Sequence, residues 1–418
     1  MTAIVGFMNK RGVAVAADSA VTLGNTHKVV NSGNKIFTLS KHAPVGIATY
    51  GNTAFMDTPW EIIIKLYRKH LGRNKFDTLN QYIISFIEYL HEENFFVSEE
   101  YQKRILHQRA IFFYNKSVEN SQQLSGYKKS LASDYLVQEL NRCKQVNAKD
   151  VLYPSMESYS YKNFLDYFQD IFLSNIVSMP LLATAHIQAV FLESFYQYLV
   201  ACVPYASDSG LVFFGYGEKE IYPSMVNIIV ADSFDHNLRN LRIEGNSGTV
   251  TAEGSTAWVI PYAQVDVAQT IIRGINPSFL DILKGTLLSV LDGYRQTIQA
   301  QLPQNTDNAN AIRTILAINN EDIAQQFVNN AANQFKMYYT DPLVNTIASL
   351  SKEDMANLAK SLVELTSLVR RMSPSEETVG GPIDVAIVSK GDGFVWLNRK
   401  LYFDPKLNTN FMNNYNDD

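Results

Sequence analysis

Thr2 stands directly behind the initiator Met1 and is the first side chain in the sequence able to act as a nucleophile. Thr is small enough to let that Met be clipped, so the expectation is a mature chain whose first residue carries both a hydroxyl and a free α-amine. The hydroxyl would attack a carbonyl while the amine takes the proton, and such an amine titrates at about pH 7.7–8.0. Acyl transfer of this kind needs no distant histidine. Two further charges fall where that pair could use them. Asp18 closes the apolar run from Val13 to Ala17, and Lys35 opens the run from Ile36 to Leu39. A carboxylate and an ammonium at the mouths of neighbouring strands can pair, and a cation held beside the amine keeps it neutral and therefore basic. Taken singly, each reads first as a solvated strand-end charge.

These residues need elements that hold them. Thr2 to Phe7 reads as an apolar strand, Asn9 to Gly12 as a turn, and Val13 to Ala17 as a second strand of small and β-branched residues. The resulting hairpin would bury a chain end that is ordinarily frayed, an unusual placement unless the end has work to do.

Taken together, Thr2, the run Gly12-Val13-Ala14-Val15-Ala16-Ala17-Asp18-Ser19, Thr22-Leu23-Gly24-Asn25-Thr26 and Lys35-Ile36-Phe37 resemble the first strands of proteasome β subunits, and still more those of the bacterial ring protease HslV. The resemblance implies an N-terminal-nucleophile (Ntn) threonine hydrolase with large helical insertions. Its fold would be α+β, a four-layer αββα sandwich of two antiparallel sheets flanked by helices. Thr2 would be the nucleophile, tuned by Asp18 and Lys35. The backbone N–H of Gly51, in Tyr50-Gly51-Asn52-Thr53-Ala54, would correspond to the oxyanion donor. Near the C-terminus the double glycine Gly380-Gly381 is retained, with Glu376 in the register of the family's acid and Val379 in that of its serine. The implied activity is that of a threonine-type endopeptidase or amidase working through an acyl-enzyme, with no metal or organic cofactor. Its partners would be a peptide or amide substrate and further copies of itself, and an ATP-dependent unfoldase is allowed for. Two other readings stay open: a catalytically silent structural or regulatory subunit, and a small-molecule amidase of the same fold.

Composition suits a large enzyme. The chain has 418 residues, 46% of them hydrophobic and 18% charged, which is enough to bury a substantial core. The formal net charge of -5, with no basic run, gives nucleic acid no purchase. Cys143 and Cys202 are too few for a disulfide framework and lack metal-site spacing, so reduced thiols and a cytoplasmic setting are expected. Asn9, Lys10 and Arg11 interrupt any signal-peptide pattern. Ile171 to Val200 is the most apolar long stretch, but Pro180, His186, Gln188, Glu193 and Gln197 punctuate it, so a buried helix pair is expected there and no membrane span.

In chain order, the expected organisation is the first half of the core over 1–94, a helical insertion over 95–207, and second-sheet strands with a helix over 208–274. A second helical insertion follows over 275–349, then a C-terminal helix, the last strands and a polar tail over 350–418. Thr58-Pro59-Trp60-Glu61 offers a capping box for a helix ended by Gly72, and Asp77 or Thr78 caps the next. Aromatic residues of the first insertion, Phe113, Phe164 and Phe168 among them, recur at helical spacing and read as core. Thr249 to Ile260 is expected to complete the second sheet. Ser351 is expected to cap the last long helix, with Leu350 and Met355 as its hydrophobic staple.

Overall fold

The computed structural model describes residues 2–23, 28–92, 98–150, 152–201, 208–302, 312, 314, 316, 319–373, 379–401 and 403–409, with the backbone alone at 22, 23, 28 and 405. The chain divides into two compact units. One comprises Met1–Gly33, Thr249–Ile387 and Trp396–Asp418, the other Asn34–Gly248 and Val388–Val395. The class is α+β with antiparallel sheets.

In the first unit, the strands Ala3–Asn9 and Gly12–Ala17 are buried along their whole length. That is why both read as unbroken apolar runs without alternation. They pair as the expected hairpin, Ile4 opposite Ala17 and Asn9 opposite Gly12. The sheet has five strands in the order Ala257–Ala263, Ala3–Asn9, Gly12–Ala17, Asp384–Ser389 and Gly393–Asn398. The helix Lys352–Met372 covers it, setting Met355, Ala356, Ala359 and Val363 among Val5, Phe7, Ala14 and Ala16. Small residues on both partners let the helix lie close. Ser351 caps this helix as the sequence indicates, its hydroxyl accepting from the Asp354 N–H at 3.0 Å.

One strand differs from expectation. Ala257–Ala263 joins the N-terminal strand, Ala3 facing Ala263 and Asn9 facing Ala257, and does not extend the other sheet. An apolar run fixes which faces are buried but not which neighbour supplies the hydrogen bonds.

The second unit is built on an antiparallel sheet in the order Asn237–Arg242, Ser224–Phe234, Ser209–Gly215, Val45–Gly51 and Ile36–Thr38. Helices Trp60–Leu71 and Leu79–Glu92 pack on it through Ile63, Tyr67, Tyr82 and Phe86. Thr78 and Gln81 form a reciprocal capping box at the start of the latter helix. Thr58 and Pro59 do not cap the former. They pair with Ala54 and Phe55 across a turn whose central residues, Met56 and Asp57, have φ of 48° and 62°. Two positive φ values make this a type I′ hairpin, which takes the backbone that a cap would need. The helix therefore begins at Trp60, whose N–H bonds to Thr53 O.

The helices Glu99–Gln122, Ala132–Asn147, Tyr161–Ile171 and Ala185–Val200 enclose a core of their own, with Phe113, Phe164, Phe168, Phe191 and Phe195 ring against ring. Among the described residues no helix is long and apolar enough to cross a membrane. Burial and the charge of Glu139 push the Cys143 thiol up to about 12, while Cys202 lies outside the described residues.

Candidate active site

The sequence-indicated residues fall into two groups, one in each unit. In the first unit Thr2 is buried immediately ahead of the strand Ala3–Asn9, and its carbonyl accepts the Gln264 N–H at 3.0 Å. Asp18, 1% exposed, lies across the hairpin from it. One carboxylate oxygen accepts the Ala3 N–H at 2.9 Å, and the other accepts the N–H groups of Ala20 and Gly380, both at 3.1 Å. A carboxylate is an acceptor with about four lone-pair sites, so one short side chain can satisfy several amides at once. Asp18 thereby ties the residue after Thr2 to the double-glycine segment. That segment is also held through the Ser19 N–H, which bonds to Gly380 O at 3.0 Å.

Val379, in the register where a serine is expected, belongs to the apolar core of this unit, and its carbonyl accepts the Ser367 hydroxyl at 3.2 Å. It offers no polar side chain. Glu376 lies outside the described residues. Gln264 is held from behind by Arg370, which donates to its side-chain oxygen and to Asp266.

In the second unit Lys35 is 4% exposed, and its carbonyl accepts the Thr49 N–H at 2.8 Å, which fixes it beside the strand Val45–Gly51. An ammonium so far from water has to be met by polar partners. Gly51 ends that strand with φ of 78°. A Cβ there would run into the carbonyl oxygen of Asp208, so the position needs Gly for both conformation and space. The same carbonyl accepts the Asn52 N–H at 3.1 Å. Tyr50, one residue earlier, lies with its ring where a Cβ on Gly210 would fall, and exchanges hydrogen bonds with Asn227 at 2.9 and 3.1 Å. Burial raises the Tyr50 phenol above its ordinary value, partly offset by the Asn227 bond, so it stays a neutral donor.

Asp208, Arg109 and Asp232 escape a reading of the sequence. The one local signal is Asp232 inside the apolar strand Ser224–Phe234, where a carboxylate needs a buried partner. Nothing in the sequence says that the partner is Arg109, 123 positions away. Among the described residues no group of His, Cys, Asp and Glu could hold a metal ion.

No protein-family model and no curated protein matches the chain. Among solved structures it is similar to Anbu from Hyphomicrobium sp. strain MC1, at 10% identity and TM-score 0.33, covering 99% of this chain and 94% of that one. It is also similar to Anbu (ancestral beta-subunit) from Yersinia bercovieri, at 10% identity and TM-score 0.29 with the same coverage. A third is the Anbu complex from Pseudomonas aeruginosa, described as a helical assembly, at 9% identity and TM-score 0.29, again with 99% and 94% coverage. These scores lie below the level at which a shared fold is inferred, so the fold and the site rest on the chain's own geometry. The outcome corrects the family resemblance drawn from the first strands. The three structures just named are Anbu proteins, a family distinct from proteasome β subunits and HslV. Of the residues carrying that resemblance, Gly12–Ala17 form one strand of the N-terminal hairpin, Ile36 and Phe37 belong to a strand of the second unit, and Gly24, Asn25 and Thr26 lie outside the described residues, while Val379 in the core shows where the pattern stops.

Proposed function

We propose that the chain is an N-terminal-threonine hydrolase that cleaves a peptide bond or a related amide. Removal of Met1 frees the Thr2 amine. The Thr2 hydroxyl oxygen bonds to the substrate carbonyl carbon while its proton passes to the α-amine. The oxyanion is held by the Gly51 N–H. The carbon–nitrogen bond then breaks, the leaving amine takes the proton from the α-ammonium, and water hydrolyses the acyl ester, returning a proton to the Thr2 oxygen. Lys35 keeps the amine neutral, Asp18 fixes the main chain next to the nucleophile, and Glu376 supplies the further acid. The reading includes a four-layer αββα sandwich as the fold.

The observation that carries the proposal is the Asp18 carboxylate, which spends its acceptor sites on the amides of Ala3, Ala20 and Gly380. Such an arrangement fixes the backbone immediately after Thr2. Thr2→Ala tests it: the variant keeps its fold by circular dichroism and hydrolyses no amide, whereas retained hydrolysis removes Thr2 from the chemistry. A silent subunit is the second reading, favoured by the apolar Val379. Labelling with a peptide boronate separates the two, because a silent subunit does not react.

The reading includes a homo-oligomer. The helix Pro277–Gln301 has no buried residue and exposes Phe279, Ile282, Val290 and Tyr294, an apolar surface suited to a second copy. Light scattering at micromolar concentration gives more than one chain mass if so. With two cysteines in all, the chain suits a reducing compartment such as the cytoplasm.

A further inference from the structure

The second unit encloses charges that the proposed chemistry does not use. Arg109 on the helix Glu99–Gln122 donates through Nε to Asp232 at 2.8 Å and through Nη2 to Asp208 at 3.2 Å. Arg239 donates to the other oxygen of Asp232 at 2.7 Å and to the Leu199 carbonyl at 2.9 Å, and its guanidinium lies over the Tyr153 and Phe234 rings. Burial alone would push the Asp232 carboxyl up, but the Arg239 and Arg109 charges outweigh it and hold it below its ordinary value. A buried ion cluster is a weak device for stability, since apolar replacements of similar volume are often neutral or better. Its geometry suggests another use. Asp208 is the member whose main chain lies against the turn that follows Val45–Gly51: its carbonyl takes the Asn52 N–H and occupies the space over Gly51. The next residue continues the clamp, Ser209 Oγ donating to Asn52 O at 3.1 Å and accepting from the Trp60 indole at 2.8 Å.

We propose that Arg109, anchored by Asp232, is a positioning residue that reaches from the helix Glu99–Gln122 to hold Asp208, whose carbonyl pins the Asn52 N–H and so keeps the adjoining Gly51 N–H in the orientation an oxyanion donor requires. The inference rests on Gly51 serving the proposed hydrolysis. It also gives the helix Glu99–Gln122 a part in catalysis, coupling it to the oxyanion site through charge-assisted bonds with fixed fork geometry.

The test compares wild type with Asp208→Asn, Arg109→Lys and Arg109→Met, using amide hydrogen exchange over residues 50–53 together with kinetics on a fluorogenic peptide amide. Asp208→Asn keeps side-chain size and the main-chain carbonyl while removing the charge that Arg109 holds, so it remains informative if Arg109→Met fails to fold. The expected result is exchange of the Asn52 amide faster by about tenfold or more, with the helix Trp60–Leu71 still protected. With it, kcat falls by on the order of 10–100-fold at nearly constant KM, because a misaligned oxyanion donor is felt in the transition state. Arg109→Lys, which keeps the charge but loses the fork, falls between wild type and Arg109→Met. Unchanged Asn52 exchange in folded Asp208→Asn overturns the inference, as does a loss confined to KM. If wild type hydrolyses nothing, the functional reading fails while the exchange arm still decides the positioning claim. If Thr2→Ala is dead and the Arg109 variants keep full kcat, the reading stands and this inference falls.

Discussion

The two groups of candidate residues, one in each unit, are held by opposite means. Around Thr2 a single short carboxylate gathers main-chain amides, two of them from residues within its own hairpin and loop and the third from Gly380. Around Gly51 the clamp is a carbonyl, and that carbonyl belongs to a residue whose side chain is fixed by a guanidinium from the helix Glu99–Gln122 and by the strand carboxylate beyond it. The first half is local and compact, and it depends on one side chain. The second is distributed, so its precision depends on elements far from the strand that carries it. A nucleophile next to a hairpin can be placed by short-range geometry, whereas an oxyanion donor at a strand end has to be aimed by whatever packs behind it.

The largest expected effects strike one half at a time. Lys35→Ala lowers hydrolysis by about 100-fold or more at neutral pH by letting the Thr2 amine protonate, and the loss shrinks at alkaline pH. A pH–rate profile checks this, and equal loss at every pH assigns Lys35 to structure instead. Gly51→Ala breaks the other half, because Ala must take φ of 78° and place its Cβ against the Asp208 carbonyl. It costs about 2–4 kcal/mol in denaturant unfolding, with hydrolysis lost even in the folded fraction.

Smaller effects sharpen the contrast. Asp18→Asn leaves part of the amide cluster short of an acceptor, for about 1–3 kcal/mol. It speeds exchange at Ala20 and Gly380 without touching Asn52, and an effect at Asn52 would show that the halves are not independently held. Smallest is a pH effect on the distributed half. The Asp232 carboxyl is lower in the folded protein than in the unfolded chain, so its ion pairs contribute fully above about pH 3.9 and are lost as the pH falls through the folded value. The stability gap between wild type and Asp232→Asn therefore narrows below about pH 4, and a gap that is constant from pH 7 to 3 contradicts the charge assignment.

The same contrast explains what could be read from the sequence. The hairpin Ala3–Asn9 with Gly12–Ala17, the Ser351 cap and the aromatic core around Phe113, Phe164 and Phe168 are legible because turn chemistry, caps and helical spacing are short-range signals. Asp18 stands out because it ends an apolar run. The placement of Ala257–Ala263 beside the first strand is not legible, since its residues specify burial and not a partner. Nor is the type I′ turn at Met56-Asp57, whose residues lack the usual Gly and which displaces the expected helix cap. The Arg109 clamp is invisible for a different reason: one cation among the several on a mostly polar helix looks like any solvated charge until the strand carboxylate is brought to it.

Intact mass after reaction with a peptide epoxyketone tests the central claim most directly, because that reagent closes a ring through a hydroxyl and an α-amine on the same residue. The account predicts a mature chain lacking Met1 that gains one equivalent of reagent on the peptide beginning at Thr2, and no gain for Thr2→Ala. A chain that keeps Met1, or an adduct that persists in Thr2→Ala, contradicts it.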